Sequence, residues 1–199
     1  MRVVGGSARG RRLAARVPKG VRPTSDRVRE AVFDILGSMT PLSGLRVVDL
    51  FAGTGALGIE ALSRGAASVT FVERDPGALG AVRANLQATG LAGPAAQVVG
   101  SDVIAYLEGP GSEAPFDLAL CDPPYRFERW DALLGSLRAD LAVLESGDPL
   151  DSPERWPGGW PERWMILRSR RYGGTLVTVV GAGAESQEGS GAESQGGSG

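Results

Sequence analysis

This sequence predicts an α/β fold with a mostly parallel sheet, on three observations. Short apolar runs alternate with segments of helical periodicity through most of the chain. A loop with glycines at 53, 55 and 58 follows one such run and opens a helix. Asp75-Pro76 places a capping residue and a first-turn proline at the start of another helix.

The elements follow in order. Residues 24–37 read as a helix with Val28, Val32, Ile35 and Leu36 on one face. Residues 45–51 form an apolar strand, 56–64 a helix, 68–73 a β-branched and aromatic strand, and 76–89 a helix. Further strands are expected at 95–100, 116–121 and 141–145. Residues 164–167 and 175–180 close the sheet as a hairpin around Gly173-Gly174. In such sheets ligands sit beyond the carboxyl ends of the strands, near the point where strand order reverses.

Composition bounds the function classes. A chain of 199 residues, 42% of them hydrophobic, suits one packed domain. No apolar run approaches the roughly 18 residues of a membrane span, and the N-terminus lacks the apolar core of a signal peptide. A cytoplasmic location without membrane association is expected. Cys121 is the single cysteine and there is no histidine, which excludes an intrachain disulfide, Ser-His or Cys-His catalysis, a Cys-rich metal site and a His-ligated metal. No metal is expected.

Charge is unevenly distributed. The first 30 residues carry nine basic and two acidic side chains, net +7, so a total of −2 leaves −9 for the remainder. Phosphate binding depends on local potential, and Arg9, Arg11 and Arg12 are the candidate phosphate contacts. Three regions are expected: a basic, glycine-punctuated β-hairpin at 1–20, a globular body at 21–180, and a disordered Gly/Ser/Glu-rich tail at 181–199.

The loop Asp49-Leu50-Phe51-Ala52-Gly53-Thr54-Gly55 lets a backbone approach a ligand closely. Glu73 stands 20 residues after Gly53, at the end of the next strand, where a carboxylate can accept from both hydroxyls of a ribose. This pattern alone is compatible with a dinucleotide or with S-adenosylmethionine. Asp49 tilts the choice: a carboxylate at the strand's end attracts a sulfonium and an ammonium, and repels a pyrophosphate. Phe51, Ala52, Thr54 and Arg74 belong to the same expected cofactor site. Asp102 could accept from an adenine amino group, with Val103 against the ring.

Asp122-Pro123-Pro124-Tyr125 follows the strand 116–121. The prolines donate no hydrogen bond but keep their carbonyls as acceptors. An aspartate beside a proline carbonyl makes a rigid acceptor pair for an NH2 group, and Tyr125 can stack on an extruded base. Hydrogen bonds to both N–H groups favour a more tetrahedral aromatic nitrogen and free its lone pair for attack on a methyl group. Positioning and electrostatics supply most of the rate, so no strong base is needed.

Residues 49–60, 71–75 and 122–125 together look like a class I methyltransferase with an amino-methylating motif. Residues 6–12 and 22–34 further resemble the bacterial RsmD family, and the resemblance extends to about residue 180. It implies a Rossmann-like, seven-stranded sheet of order 3-2-1-4-5-7-6 with helices on both faces and a small N-terminal hairpin. It implies S-adenosylmethionine as cofactor and S-adenosylhomocysteine as product. The substrate it implies is the N2 amino group of a guanine in 16S ribosomal RNA, free or in the small subunit. It also places the segment around Arg22 and Thr24 over the cofactor pocket and near the target base. A monomer is expected. Two departures stand out: only Asp140 separates the helix near 130–139 from the next strand, which points to a shortened or shifted strand 5, and 146–161 is irregular. Trp156, Trp160 and Trp164 are expected to pack as a lid. The rival readings are an adenine-N6 methyltransferase on RNA or DNA, a nicotinamide-dependent oxidoreductase and a non-catalytic RNA-binding protein.

Overall fold

The computed structural model describes residues 1–13, 26–113, 115–152, 156 and 159–183. Helices and strands alternate as α1 (Asp26–Met39), β1 (Arg46–Leu50), α2 (Ala56–Ser63), β2 (Ser68–Glu73), α3 (Pro76–Thr89), β3 (Ala96–Gly100) and α4 (Val103–Glu108). They continue as β4 (Phe116–Cys121), α5 (Trp130–Ser136), β5 (Ala139–Ser146), β6 (Trp164–Tyr172) and β7 (Thr175–Ala182). One seven-stranded sheet runs β3-β2-β1-β4-β5-β7-β6, the order the resemblance implies. The pairs among β1 to β5 are parallel, while β7 runs antiparallel to both its neighbours. Strand order reverses between β1 and β4, which pair directly.

The central strands are buried on both faces, so their sequences are nearly continuous apolar runs. Val47 of β1 and Leu118 and Leu120 of β4 pack in a core with α1, α2 and α3. Val48, Leu50, Phe116 and Cys121 face a second core with α4 and α5. Burial pushes the Cys121 thiol well above its ordinary pKa, chiefly by loss of water, so it stays a protonated core group.

Several boundaries differ from expectation. Strand 5 is lengthened, not shortened: α5 stops at Ser136, and β5 begins at Ala139, opposite Phe116. Arg138 donates to the Gly135 carbonyl at 3.0 Å, satisfying the helix end and freeing the chain to turn at once. β6 spans nine residues where four were expected. It is the outer strand of the sheet, and Arg168, Arg170 and Arg171 hide it from an apolar-run reading. The short helix α4 was not foreseen. β7 includes Gly181 and Ala182, placed at the start of the tail by composition, because Ala182 and Gly181 pair with Trp164 and Met165. Residues 184–199, together with Arg22 and Thr24, lie outside the described residues. Trp164 is buried and donates to the Leu134 carbonyl at 2.9 Å, while Trp156 and Trp160 meet edge to face at 5.4 Å against the same core.

The N-terminal segment is hairpin-like, joined by an Arg2–Arg12 bridge and by Val3 N–H to the Arg11 carbonyl at 3.0 Å. It is held by Glu60, fully buried in α2. The Glu60 carboxylate accepts from Val4 N at 2.8 Å, Gly5 N at 2.7 Å and Arg64 Nε at 2.8 Å, and Arg29 Nε lies 3.6 Å away. Arg29, itself fully buried in α1, also donates to the Arg2 carbonyl and pairs with Asp26 at 2.8 Å. One carboxylate thus joins α1, α2 and the first five residues. Glu60→Ala should destabilise the protein by about 3–5 kcal/mol, because it strands the buried Arg29 charge. Thermal or urea denaturation checks this; a loss below about 1 kcal/mol would show that the network carries little.

Candidate active site

The site lies at the carboxyl ends of the strands, where their order reverses. β1 ends at Asp49-Leu50, and the chain then turns sharply. Phe51 takes φ 61°, a left-handed conformation costly for a bulky residue, and Gly53 and Gly55 follow at φ 55° and 76°. The loop is tied from three directions. Asp49 Oδ2 accepts from Gly58 N at 2.9 Å, Glu73 Oε2 from Gly53 N at 2.9 Å, and buried Asn85 of α3 donates to the Thr54 carbonyl at 2.9 Å. Gly58 serves packing: a Cβ there would stand 2.3 Å from the Phe71 ring of β2.

Asp49 is buried, and its carboxyl is raised well above the ordinary range. Desolvation is the main cause, opposed by the Gly58 hydrogen bond and reinforced by the Asp122 and Glu73 charges. Glu73 is oriented by its backbone bonds, Oε1 accepting from Arg74 N at 2.8 Å and Asp75 N at 2.9 Å. Asp102 caps α4, its Oδ1 accepting from Ile104 N at 3.0 Å and Ala105 N at 3.3 Å. All three carboxylates line the same cavity.

β4 delivers the second constellation. The Pro124 carbonyl accepts from Phe127 N at 2.8 Å and so closes a turn. Asp122 and Pro123 line the cavity on the strand side of this turn. Tyr125 is 66% exposed, unusual for a large aromatic side chain. Phe127 packs edge to face on Phe51 at 5.0 Å and on Trp130 at 5.3 Å, which fastens this turn to the glycine loop. The two loops then border one cavity of about 1040 Å³.

Asp49, Phe51, Ala52, Gly53, Thr54, Glu73, Arg74, Asp102 and Val103 all line that cavity, as do Asp122, Pro123, Pro124 and Tyr125. Gly55 stands behind the loop, against Val82 and Phe71. Arg9, Arg11 and Arg12 are not brought to the cavity. The hairpin turn packs on Ser63 at the far end of α2, and Arg11 donates to the Thr89 carbonyl at the end of α3. Missed by sequence reasoning were Met1, the α1 residues Arg27, Val28 and Ala31, Glu145 of β5, and the β6–β7 tip from Arg170 to Thr175. The Gly173-Gly174 turn was the one signal that could have suggested the last of these.

Comparison with known proteins agrees with this geometry. A family model described as "Conserved hypothetical protein 95" matches residues 1–181. Ribosomal RNA small subunit methyltransferase D of Haemophilus influenzae is 33% identical over 165 residues, 78% of this chain and 84% of the relative. This chain belongs to the RsmD family. The Escherichia coli RsmD protein is 42% identical over 126 residues, 63% of this chain and 61% of that protein. A solved protein of Thermus thermophilus superposes with TM-score 0.73 at 34% identity, covering 92% of this chain and 99% of its own. More distantly, a protein solved with S-adenosylhomocysteine shares the fold at TM-score 0.63 and 15% identity, over 82% of this chain and 50% of its own. The RsmD relatives are ribosomal RNA methyltransferases, which makes this chain a methyltransferase with a Rossmann-like fold and sets the nicotinamide reading of the loop aside.

Asp49 yields a prediction with a definite sign. Its raised pKa means the folded state binds the proton more tightly than the unfolded chain, so stability is lost as pH rises from about 4, the unfolded value, through the folded one. Asp49→Asn keeps an acceptor for Gly58 N–H and removes the charge. Without cofactor, its melting temperature should gain on wild type as pH rises from about 4.5 to about 7.5. A difference that stays constant with pH would refute the assignment.

Proposed function

We propose that the protein transfers a methyl group from S-adenosylmethionine to the N2 amino group of a guanine in small-subunit ribosomal RNA. The observation that carries this reading is the shared cavity: the acidic strand ends and the Asp122–Tyr125 turn face the same space. The donor set fits the cofactor. A buried carboxylate whose proton is held tightly for want of a counter-charge suits a ligand bearing a sulfonium and an ammonium. Glu73 suits ribose hydroxyls and Asp102 the adenine amino group, with Val103 beside the ring. The bound cofactor supplies an electrophilic methyl group on a sulfonium.

The chain's own residues then do three things. Asp122 and the Pro123 carbonyl accept hydrogen bonds from the target amino group and aim its lone pair along the line of attack. Tyr125 stacks on the base, which must leave its helix or come from a loop to reach it. Phe51 and Phe127 wall the cavity with apolar surface and keep water from competing. Family membership supports RNA as the substrate. The Asp-Pro-Pro-Tyr turn supports an amino group as the acceptor.

Methyl transfer from labelled S-adenosylmethionine to 16S RNA or small subunits, with nucleoside analysis of the product, tests the reading. N2-methylguanosine is expected, and Asp122→Ala should lower kcat by about 10²–10³-fold. N6-methyladenosine would overturn the guanine assignment, and near-wild-type turnover in Asp122→Ala would remove Asp122 from the mechanism.

A further inference from the structure

Most acidic groups lining the cavity are less exposed than the basic ones. Asp49 and Glu145 are buried and Glu73, Asp102 and Asp122 half-buried, whereas Arg27, Arg74, Arg129, Arg170 and Arg171, with the acidic Asp75, are exposed. The exposed arginines continue along β6, where Arg168 joins Arg170 and Arg171 on the outer strand. Their register divides them between two faces. Arg168 and Arg170 stand opposite Val179 and Val177, on the α1 side of the sheet. Arg171 faces the other way and donates to the Gly147 carbonyl at 3.0 Å. Gly147 adjoins Tyr125, since a Cβ on it would lie 3.8 Å from that ring. Arg170 is steadied over the Tyr172 ring at 5.4 Å.

We propose that the β6–β7 hairpin, through Arg168, Arg170 and Arg171, holds the RNA backbone beside the base presented to Tyr125. This rests on the reading of the protein as an RNA methyltransferase. Guanidinium groups suit phosphate contacts through paired donors, and an edge strand exposes them along its length. The N-terminal hairpin fits the role less well. Arg11 is committed to the end of α3, and the turn stands one helix length, roughly 12 Å, from the glycine loop.

The test is Arg168→Glu/Arg170→Glu in the full chain, with a 16S RNA transcript as probe, filter binding at several salt concentrations, and a parallel titration with S-adenosylhomocysteine. RNA affinity should fall roughly tenfold or more, and the slope of log K against log salt should shrink by about two. Arg168→Glu alone, outside the cavity lining, should weaken RNA binding about threefold or more and leave the affinity for S-adenosylhomocysteine and the melting temperature at wild-type values. Arg83→Glu, on the exposed side of α3, should bind RNA within about twofold of wild type. Wild-type RNA affinity in the double variant would overturn the proposal. Failure of the underlying reading would look different: the unmodified protein would then transfer no methyl group to 16S RNA.

Discussion

A carboxylate sealed at the end of the central strand is the constraint on which the site depends. Asp49 surrenders its hydration to take the Gly58 amide, and that bond sets where α2 begins relative to β1. Everything between must fit the remaining span, which is why Phe51 adopts a left-handed conformation and glycines follow at 53 and 55. Strain and unbalanced charge are therefore concentrated in one loop. A cationic ligand above it would relieve the electrostatic part.

The second loop is positioned by the first. Phe127 bridges Phe51 and Trp130, so the Asp-Pro-Pro-Tyr turn is packed against the glycine loop as well as joined to it through paired β1 and β4. The two loops thereby face one cavity in a fixed relation. Under the proposed function, a cationic cofactor and a polyanionic substrate would approach the same cavity, and its buried carboxylates and exposed arginines would each favour the opposite charge.

A local charge count does not separate structural arginines from exposed ones in the basic N-terminal block, where Arg9 and Arg12 are exposed. Arg29 lies fully buried and pairs with Asp26 and Glu60, and Arg11 satisfies a helix end. These arginines build the fold. Their role is invisible locally because Glu60 and Thr89 lie far away in sequence, and a buried ion pair leaves no periodic signature. The arginines of β6 acted in the opposite direction: following Met165-Ile166-Leu167 on an outer strand, Arg168, Arg170 and Arg171 disguised the second half of a regular strand.

What the sequence determined by itself was whatever is encoded by neighbours. The apolar runs of β1, β2 and β4, the Asp75 cap of α3 and the two functional loops are local patterns, and the strand and helix ends that carry Asp49, Glu73 and Asp122 followed from them. The resemblance added the strand order. Only the tertiary structure decided what depends on packing between distant segments: the aromatic bridge through Phe127, the Glu60 anchor, the early end of α5 and the arrival of the β6–β7 tip at the cavity. Each is a contact between residues whose separation in the chain hides their meeting, because short-range propensity carries no information about which surfaces a folded sheet brings together.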